Sequence, residues 1–119
     1  MKTILRFILF TLLMTSCDPE YNDFYFVTNN CKETIDVKIT LWNEQIVDFE
    51  ITPKDSFLFY QEFGVVGNIS GQYICKQIVI IKDGIVSQKQ YLNADDWIPI
   101  DIGKRDKEWY LTINPEDFE

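Results

Sequence analysis

The stretch that decides the fold is IDVKITL at residues 35–41, followed by VDFEI at residues 47–51. In both segments apolar side chains alternate with polar ones, a period of two and not the 3.6 of a helix. Successive side chains of a β-strand point to opposite faces, so each segment is predicted to be a strand with one buried face. The two segments therefore indicate a fold built from half-buried strands.

Strand patterns continue outward from these two segments in both directions. Further strands are predicted at residues 24–27, 56–60, 73–82, 85–92, 98–102 and 108–113. The turn Lys82-Asp83-Gly84 predicts a hairpin, and Pro99 predicts an edge strand because proline lacks the N–H that a central strand donates. No segment after Cys17 has a helical period. About eight short strands at this spacing predict an all-β, antiparallel two-sheet sandwich of immunoglobulin-like type, with a small β-barrel as the alternative.

Composition excludes several classes of function. The chain has 119 residues, enough for one domain, and 46% of them are apolar, enough for a hydrophobic core. It contains no histidine, which removes the commonest general base, the usual nucleophilic triads and most zinc sites. The formal net charge of −8 would repel a phosphate backbone, so no nucleic-acid partner is predicted. Catalysis by carboxylates alone stays open, but the prediction is that the protein is not an enzyme.

The first residues have the pattern of a secretory signal. Lys2 and Arg6 are followed by a largely apolar run that ends at Thr15, and this run is shorter than the ~20 residues of a transmembrane helix. The chain is therefore predicted to begin with a cleaved signal helix at residues 1–16. An N-terminal helix that packs into the core is an alternative.

The end of this leader, Leu13-Met14-Thr15-Ser16-Cys17, resembles the lipobox of bacterial lipoproteins. The resemblance implies cleavage before Cys17 and acylation of Cys17, including palmitate, with a tether at residues 17–23 and a single sandwich domain at residues 24–119. It also implies a small lipid-anchored protein of the Gram-negative cell envelope, in the outer membrane, with the membrane as one partner. Asp18 resembles both inner-membrane retention and surface-export signals, so the inner membrane stays open as the alternative location. An ordinary cleaved signal with an unmodified cysteine is the alternative.

The two remaining cysteines, Cys31 and Cys75, would fold in an oxidising compartment. An even count in such a compartment predicts a disulfide bond between them. The alternative is a pair of buried free thiols, because Cys75 lies inside an apolar strand pattern.

Tryptophans near carboxylates are the candidate binding residues. Trp42 falls on the polar phase of its strand, and Trp97 follows Asp95 and Asp96 in a predicted loop. Exposed indole rings stack on sugar faces or anchor protein contacts, so these four residues form the predicted site. The alternative is that both tryptophans are core residues, as is predicted for Trp109. No catalytic residue, metal ligand or cofactor is predicted.

Two classes of binding function follow. The first is a non-catalytic binding or accessory module that contacts glycan or an envelope protein. The alternative is an acidic inhibitor or immunity lipoprotein that neutralises a cationic toxin or a lysozyme, because opposite charge steers a basic partner.

Overall fold

The structure is a computed structural model that describes residues 20–64 and 67–119. The predicted signal peptide, Cys17 and the first residues of the predicted tether lie outside these residues. Within the described residues, none of the helices has the length and apolar character needed to cross a membrane.

Strands make up most of the described part of the chain, and its only helical elements are three single 3₁₀ turns. The turns are Gly71–Tyr73, Ala94–Asp96 and Pro115–Phe118. The strands are β1 (Tyr21–Asn29), β2 (Ile35–Leu41), β3 (Ile46–Ile51), β4 (Ser56–Gly64), β5 (Cys75–Lys82), β6 (Ile85–Val86), β7 (Trp97–Asp101) and β8 (Asp106–Ile113). β1 begins at Tyr21, so the last residues of the predicted tether belong to the domain.

The strands form two four-stranded sheets, in the order β4-β1-β8-β7 and β3-β2-β5-β6. The predicted all-β two-sheet sandwich is confirmed, and over the described residues the sheets do not close into the alternative barrel. Neighbouring strands pair antiparallel except β1 and β8, which are parallel, so the first and last strands lie side by side. Pro99 lies on β7, which is an edge strand as predicted.

The core lies between the two sheets and follows the period of two. Ile35, Val37, Ile39 and Leu41, the apolar phase of β2, are all buried. From the opposite sheet, Trp109 is buried with its alternate neighbours on β8, which confirms its predicted core position. Burial of apolar surface contributes ~25 cal/mol per Å², so these inward faces hold the two sheets together.

The predicted disulfide bond is wrong, because Cys31 and Cys75 are both buried free thiols. Cys31 lies four residues before Ile35, where β2 begins, whereas Cys75 pairs with Leu41, where β2 ends. At 3.3 Å per residue the two ends of β2 are roughly 20 Å apart. A disulfide needs Cα atoms within ~7 Å of each other, so the two thiols cannot meet.

The predicted strand at residues 85–92 is also wrong beyond Val86. The Ser87 hydroxyl hydrogen-bonds with the Tyr91 hydroxyl (2.7 Å) and donates to the carbonyl of Asp117 (3.0 Å). Tyr91 is buried and has a φ of 63°, a left-handed backbone that no regular strand contains. These contacts turn the chain away from β5 and into the interior.

Candidate binding site

Trp42 directly follows β2 and opens the turn that leads to β3. Its backbone N–H donates to the carbonyl of Ile74 (3.2 Å). The turn is closed by a hydrogen bond from Leu41 N–H to the carbonyl of Gln45 (2.9 Å), with Glu44 in the left-handed region at φ 69°. The backbone is thus fixed, while the indole is 60% exposed, which agrees with the predicted exposure of Trp42.

Tyr73 reaches the same region from the connection between β4 and β5. It ends the 3₁₀ turn that begins at Gly71, and its side chain is 66% exposed. The core supports this connection from below, because the Tyr25 hydroxyl donates to the carbonyl of Ile69 (2.6 Å). A Cβ on Gly71 would lie 2.4 Å from the ring of Trp97, so only glycine allows this close approach. The exposed Tyr73 side chain therefore lies on a segment that is held in place by contacts with the core.

Tyr60 and Glu62 come from β4, which belongs to the other sheet. The Tyr60 hydroxyl donates to Glu62 Oε2 (2.7 Å), and this bond to a carboxylate raises the pKa of Tyr60 above its ordinary value. The phenol, whose ordinary pKa of 10.0 already lies well above neutral pH, therefore stays a hydrogen-bond donor to Glu62. The half-buried Tyr60 ring also lies against Tyr25, with centroids 6.0 Å apart, so its position is fixed by packing.

These side chains form one open groove, which we call the aromatic groove. Its volume is about 220 Å³, and it is lined by Leu41, Trp42, Asn43, Tyr60, Glu62, Tyr73 and Ile74. Flat apolar ring faces lie beside a carboxylate and an amide, which are hydrogen-bonding groups. The chemistry of this lining suits a ligand that has both apolar and polar faces.

Sequence reasoning located Trp42 but missed Tyr60 and Tyr73. Both tyrosines belonged to predicted strand patterns, and nothing in the local sequence indicates that they meet Trp42. They line one groove with Trp42 because β4, which carries Tyr60, belongs to the opposite sheet from β2 and the Gly71–Tyr73 turn lies beside them.

Trp97 is buried, so the predicted exposure of its ring is wrong and the alternative of a core position holds. It is 2% exposed, and its Nε1–H donates to the carbonyl of Tyr91 (3.1 Å). Its ring packs edge-on against Tyr25 (6.5 Å between centroids) and near Phe59 (6.1 Å). Trp97 instead supports Gly71 and hence the segment that carries Tyr73.

Asp95 and Asp96 do not join Trp42 either. Asp96 accepts a hydrogen bond from the Asn93 N–H (3.0 Å) and pairs with Lys89 (3.1 Å), so it serves to close its own turn. Asp95 is exposed in the same turn. Neither residue is among those that line the aromatic groove in the described part of the chain.

Across residues 20–64 and 67–119, no group of three or more acidic or cysteine side chains is placed to hold a metal ion. Burial raises the pKa of the Cys75 thiol to about 12 and also raises that of the Cys31 thiol. Both thiols are therefore protonated at neutral pH, the form that is a poor nucleophile.

The chain was compared with protein-family models, with curated proteins and with solved structures, and none of the three comparisons gives a match.

Proposed function

We propose that this protein is a non-catalytic binding module of a bacterial envelope lipoprotein and that the aromatic groove contacts its ligand. The observation that carries the proposal is the exposure of Trp42 and Tyr73, which lie more than half exposed on a packed base. Large exposed aromatic side chains are enriched at binding sites because they bury much apolar area at little entropic cost.

Glycan is the ligand class that the groove chemistry favours. A sugar ring has apolar C–H faces that stack on aromatic rings and hydroxyl groups that hydrogen-bond at its rim. Trp42 and Tyr73 supply ring faces, while Glu62 and Asn43 supply acceptors and a donor at the side of the groove. An envelope protein is the other partner for the same surface, because tryptophan and tyrosine also dominate protein hot spots.

The proposed lipid anchor would hold this domain close to the membrane. From Cys17 to Tyr21, where β1 begins, there are 21 − 17 = 4 residue steps. Fully extended, four steps span at most ~14 Å, so the sandwich would lie beside the outer membrane that the lipobox resemblance implies. Labelled palmitate should enter the wild-type chain and not the C17S variant. A wild-type chain that takes up no label would contradict the proposed lipid anchor but would not bear on ligand binding by the aromatic groove.

The binding proposal is tested with the full-length chain purified in a nonionic detergent and applied to an array of envelope glycans. The W42A and Y73A variants should each lose about tenfold or more in affinity, because a central aromatic contact is worth more than ~1 kcal/mol. F63A is the matched control, since Phe63 is as exposed as Trp42 but lies outside the aromatic groove. Wild-type glycan affinity in both W42A and Y73A would refute the proposal. If the aromatic groove instead binds an envelope protein, that protein and not glycan is the ligand.

A second candidate, an acidic inhibitor or immunity lipoprotein, draws support from the outer face of the second sheet. Exposed Asp36 and Glu50 pair directly across β2 and β3, whereas Asp48 on the same face lies opposite Lys38, so three carboxylates share this face with one lysine. Like charges placed opposite each other destabilise a sheet, and a cationic partner would relieve that repulsion. Salt-sensitive binding of a basic lysozyme, lost in a D36N/E50Q variant but kept in W42A, would support this function over glycan binding.

A further inference from the structure

Glu62 is the charged side chain in the lining of the aromatic groove, and it has no cationic partner in the described part of the chain. Its side chain is half-buried, and none of the ion pairs among residues 20–64 and 67–119 includes it. Lys76, two residues beyond Ile74 of the groove, pairs with Glu44 instead (2.6 Å). A charge withdrawn from water is costly unless an opposite charge compensates it, so a cationic ligand group would relieve this cost.

The hydrogen bond from Tyr60 fixes the position of this carboxylate without neutralising it. The Tyr60 hydroxyl, a neutral donor, bonds to Oε2 of Glu62 (2.7 Å). Among the described residues, no donor bonds to the other oxygen, Oε1. The carboxylate is therefore held in one orientation and has an oxygen left to accept a hydrogen bond from a ligand.

Aromatic rings line the same groove as this carboxylate. They belong to Trp42, Tyr60 and Tyr73. The face of an aromatic ring is electron-rich and attracts a cation, most strongly in tryptophan. The lining contains neither lysine nor arginine, and the chain as a whole has a net charge of −8. The groove thus attracts a positively charged group and repels a negatively charged one.

We propose that the ligand group recognised in the aromatic groove is a positively charged ammonium, carried by a glycan that contains free amino sugars. The inference rests on the binding function proposed above and names the class of glycan. The C–H faces of the sugar contact the rings of Trp42 and Tyr73, and its ammonium donates a charge-assisted hydrogen bond to Oε1 of Glu62.

Other ligand groups suit the groove less well than a free amino sugar. The amide of an N-acetylated sugar is neutral, so it would leave Glu62 without a counter-charge. The carboxylate or phosphate of an acidic sugar would be repelled by Glu62. A lysine side chain of a protein carries the same ammonium on a flexible four-carbon stem, which offers Trp42 and Tyr73 no ring-sized apolar face.

The experiment uses isothermal titration of the full-length chain in nonionic detergent with two oligosaccharides of one backbone. One is a chitosan hexasaccharide, made of glucosamine only, and the other is the fully N-acetylated chitin hexasaccharide. The wild type should bind the chitosan oligomer at least tenfold more tightly, because only this oligomer carries ammonium groups. This comparison needs no variant of the protein, so its result does not depend on whether a substitution disturbs folding.

Variants then assign the difference to one carboxylate. E62Q removes the charge, but its amide oxygen still accepts from Tyr60, so affinity for the chitosan oligomer should fall about tenfold or more. E44Q is the matched control, because it removes the same charge from the turn next to the groove and Glu44 is not among the groove-lining residues. Its affinity should stay close to that of the wild type. W42A should weaken binding of both oligomers.

The outcomes separate this inference from the binding function on which it rests. Chitin binding that equals chitosan binding and is weakened by W42A would overturn the inference and leave the binding function standing. Chitosan binding that E62Q leaves unchanged, or that E62Q and E44Q weaken equally, would also overturn the inference. Equal affinity for a capped lysine peptide would overturn the choice of glycan as the carrier, and no binding of either oligomer at millimolar concentration would contradict both proposals.

Discussion

Replacement of Trp97 by alanine tests whether this residue supports the binding surface from inside or forms part of it. The indole is 2% exposed and packs against Tyr25 and Phe59, so truncation leaves a large cavity between the sheets. It also removes the donor to the carbonyl of Tyr91 (3.1 Å), a buried acceptor. W97A is therefore predicted to lower the free energy of unfolding strongly.

The magnitude follows from two losses. Truncation of a buried Phe or Trp to Ala costs ~3–5 kcal/mol, and a buried acceptor left without its partner adds to that cost. Against the 5–15 kcal/mol typical of a whole domain, a loss of about 4 kcal/mol removes a large part of the stability. At ~4–8 °C per kcal/mol for a small domain, Tm should fall by about 16 °C or more.

Trp42 provides the matched control, because the same substitution removes the same side chain from a position that is 60% exposed. W42A should change the free energy of unfolding by no more than ~0.5 kcal/mol. The assay is urea and thermal unfolding followed by far-UV circular dichroism, whose signal does not depend on either indole alone. Equal losses in the two variants, or a loss below ~1 kcal/mol in W97A, would refute the assignment of Trp97 to the core.

Three further predictions concern the thiols and the base of the aromatic groove. Cys31 and Cys75 should both alkylate only after unfolding, in protein that was never treated with reductant, and mass spectrometry that finds two hydrogens missing would contradict the free thiols. Burial raises the pKa of the Cys75 thiol from 9.0 to about 12, so the stability that the buried, protonated thiol contributes is intact below pH 9 and is lost as the pH rises toward 12. The fall in the free energy of unfolding over this pH range should be smaller in C75A than in the wild type. G71A should lower the free energy of unfolding by ~1–3 kcal/mol, because the new Cβ would lie 2.4 Å from the Trp97 ring. Ligand affinity should also fall, because the clash shifts the segment that carries Tyr73. Wild-type stability and affinity in G71A would show that the close contact between Gly71 and Trp97 is not needed.

The sequence was enough to identify Trp42 as a candidate binding residue, but it was not enough to tell that Trp97 is buried. Trp42 was found because it continues the polar phase of the β2 pattern, but it lies one residue beyond the strand, and its exposure comes from its place in the turn. Trp97 begins an edge strand beside two aspartates, a context that equally suits an exposed ring. Its burial depends on Tyr25 and Gly71, which pack on it from distant parts of the chain.

The sequence alone determined most of the strands and, where the alternation is regular, their inward faces. In β2 the period of two selects which side chains point inward, because alternation is a property of every extended backbone and needs no partner. The edge position of Pro99 followed for the same kind of reason, since the missing N–H belongs to the residue itself.

Only the tertiary structure decided which strands become neighbours and which distant residues meet. The separation of Cys31 from Cys75 is set by their places at opposite ends of β2, and the departure of the chain after Val86 is set by contacts of Ser87 with Asp117. Both outcomes depend on side chains far apart in sequence, and local alternation carries no information about such pairs. The aromatic groove arises in the same way, because its lining residues come from both sheets and from the connections between strands.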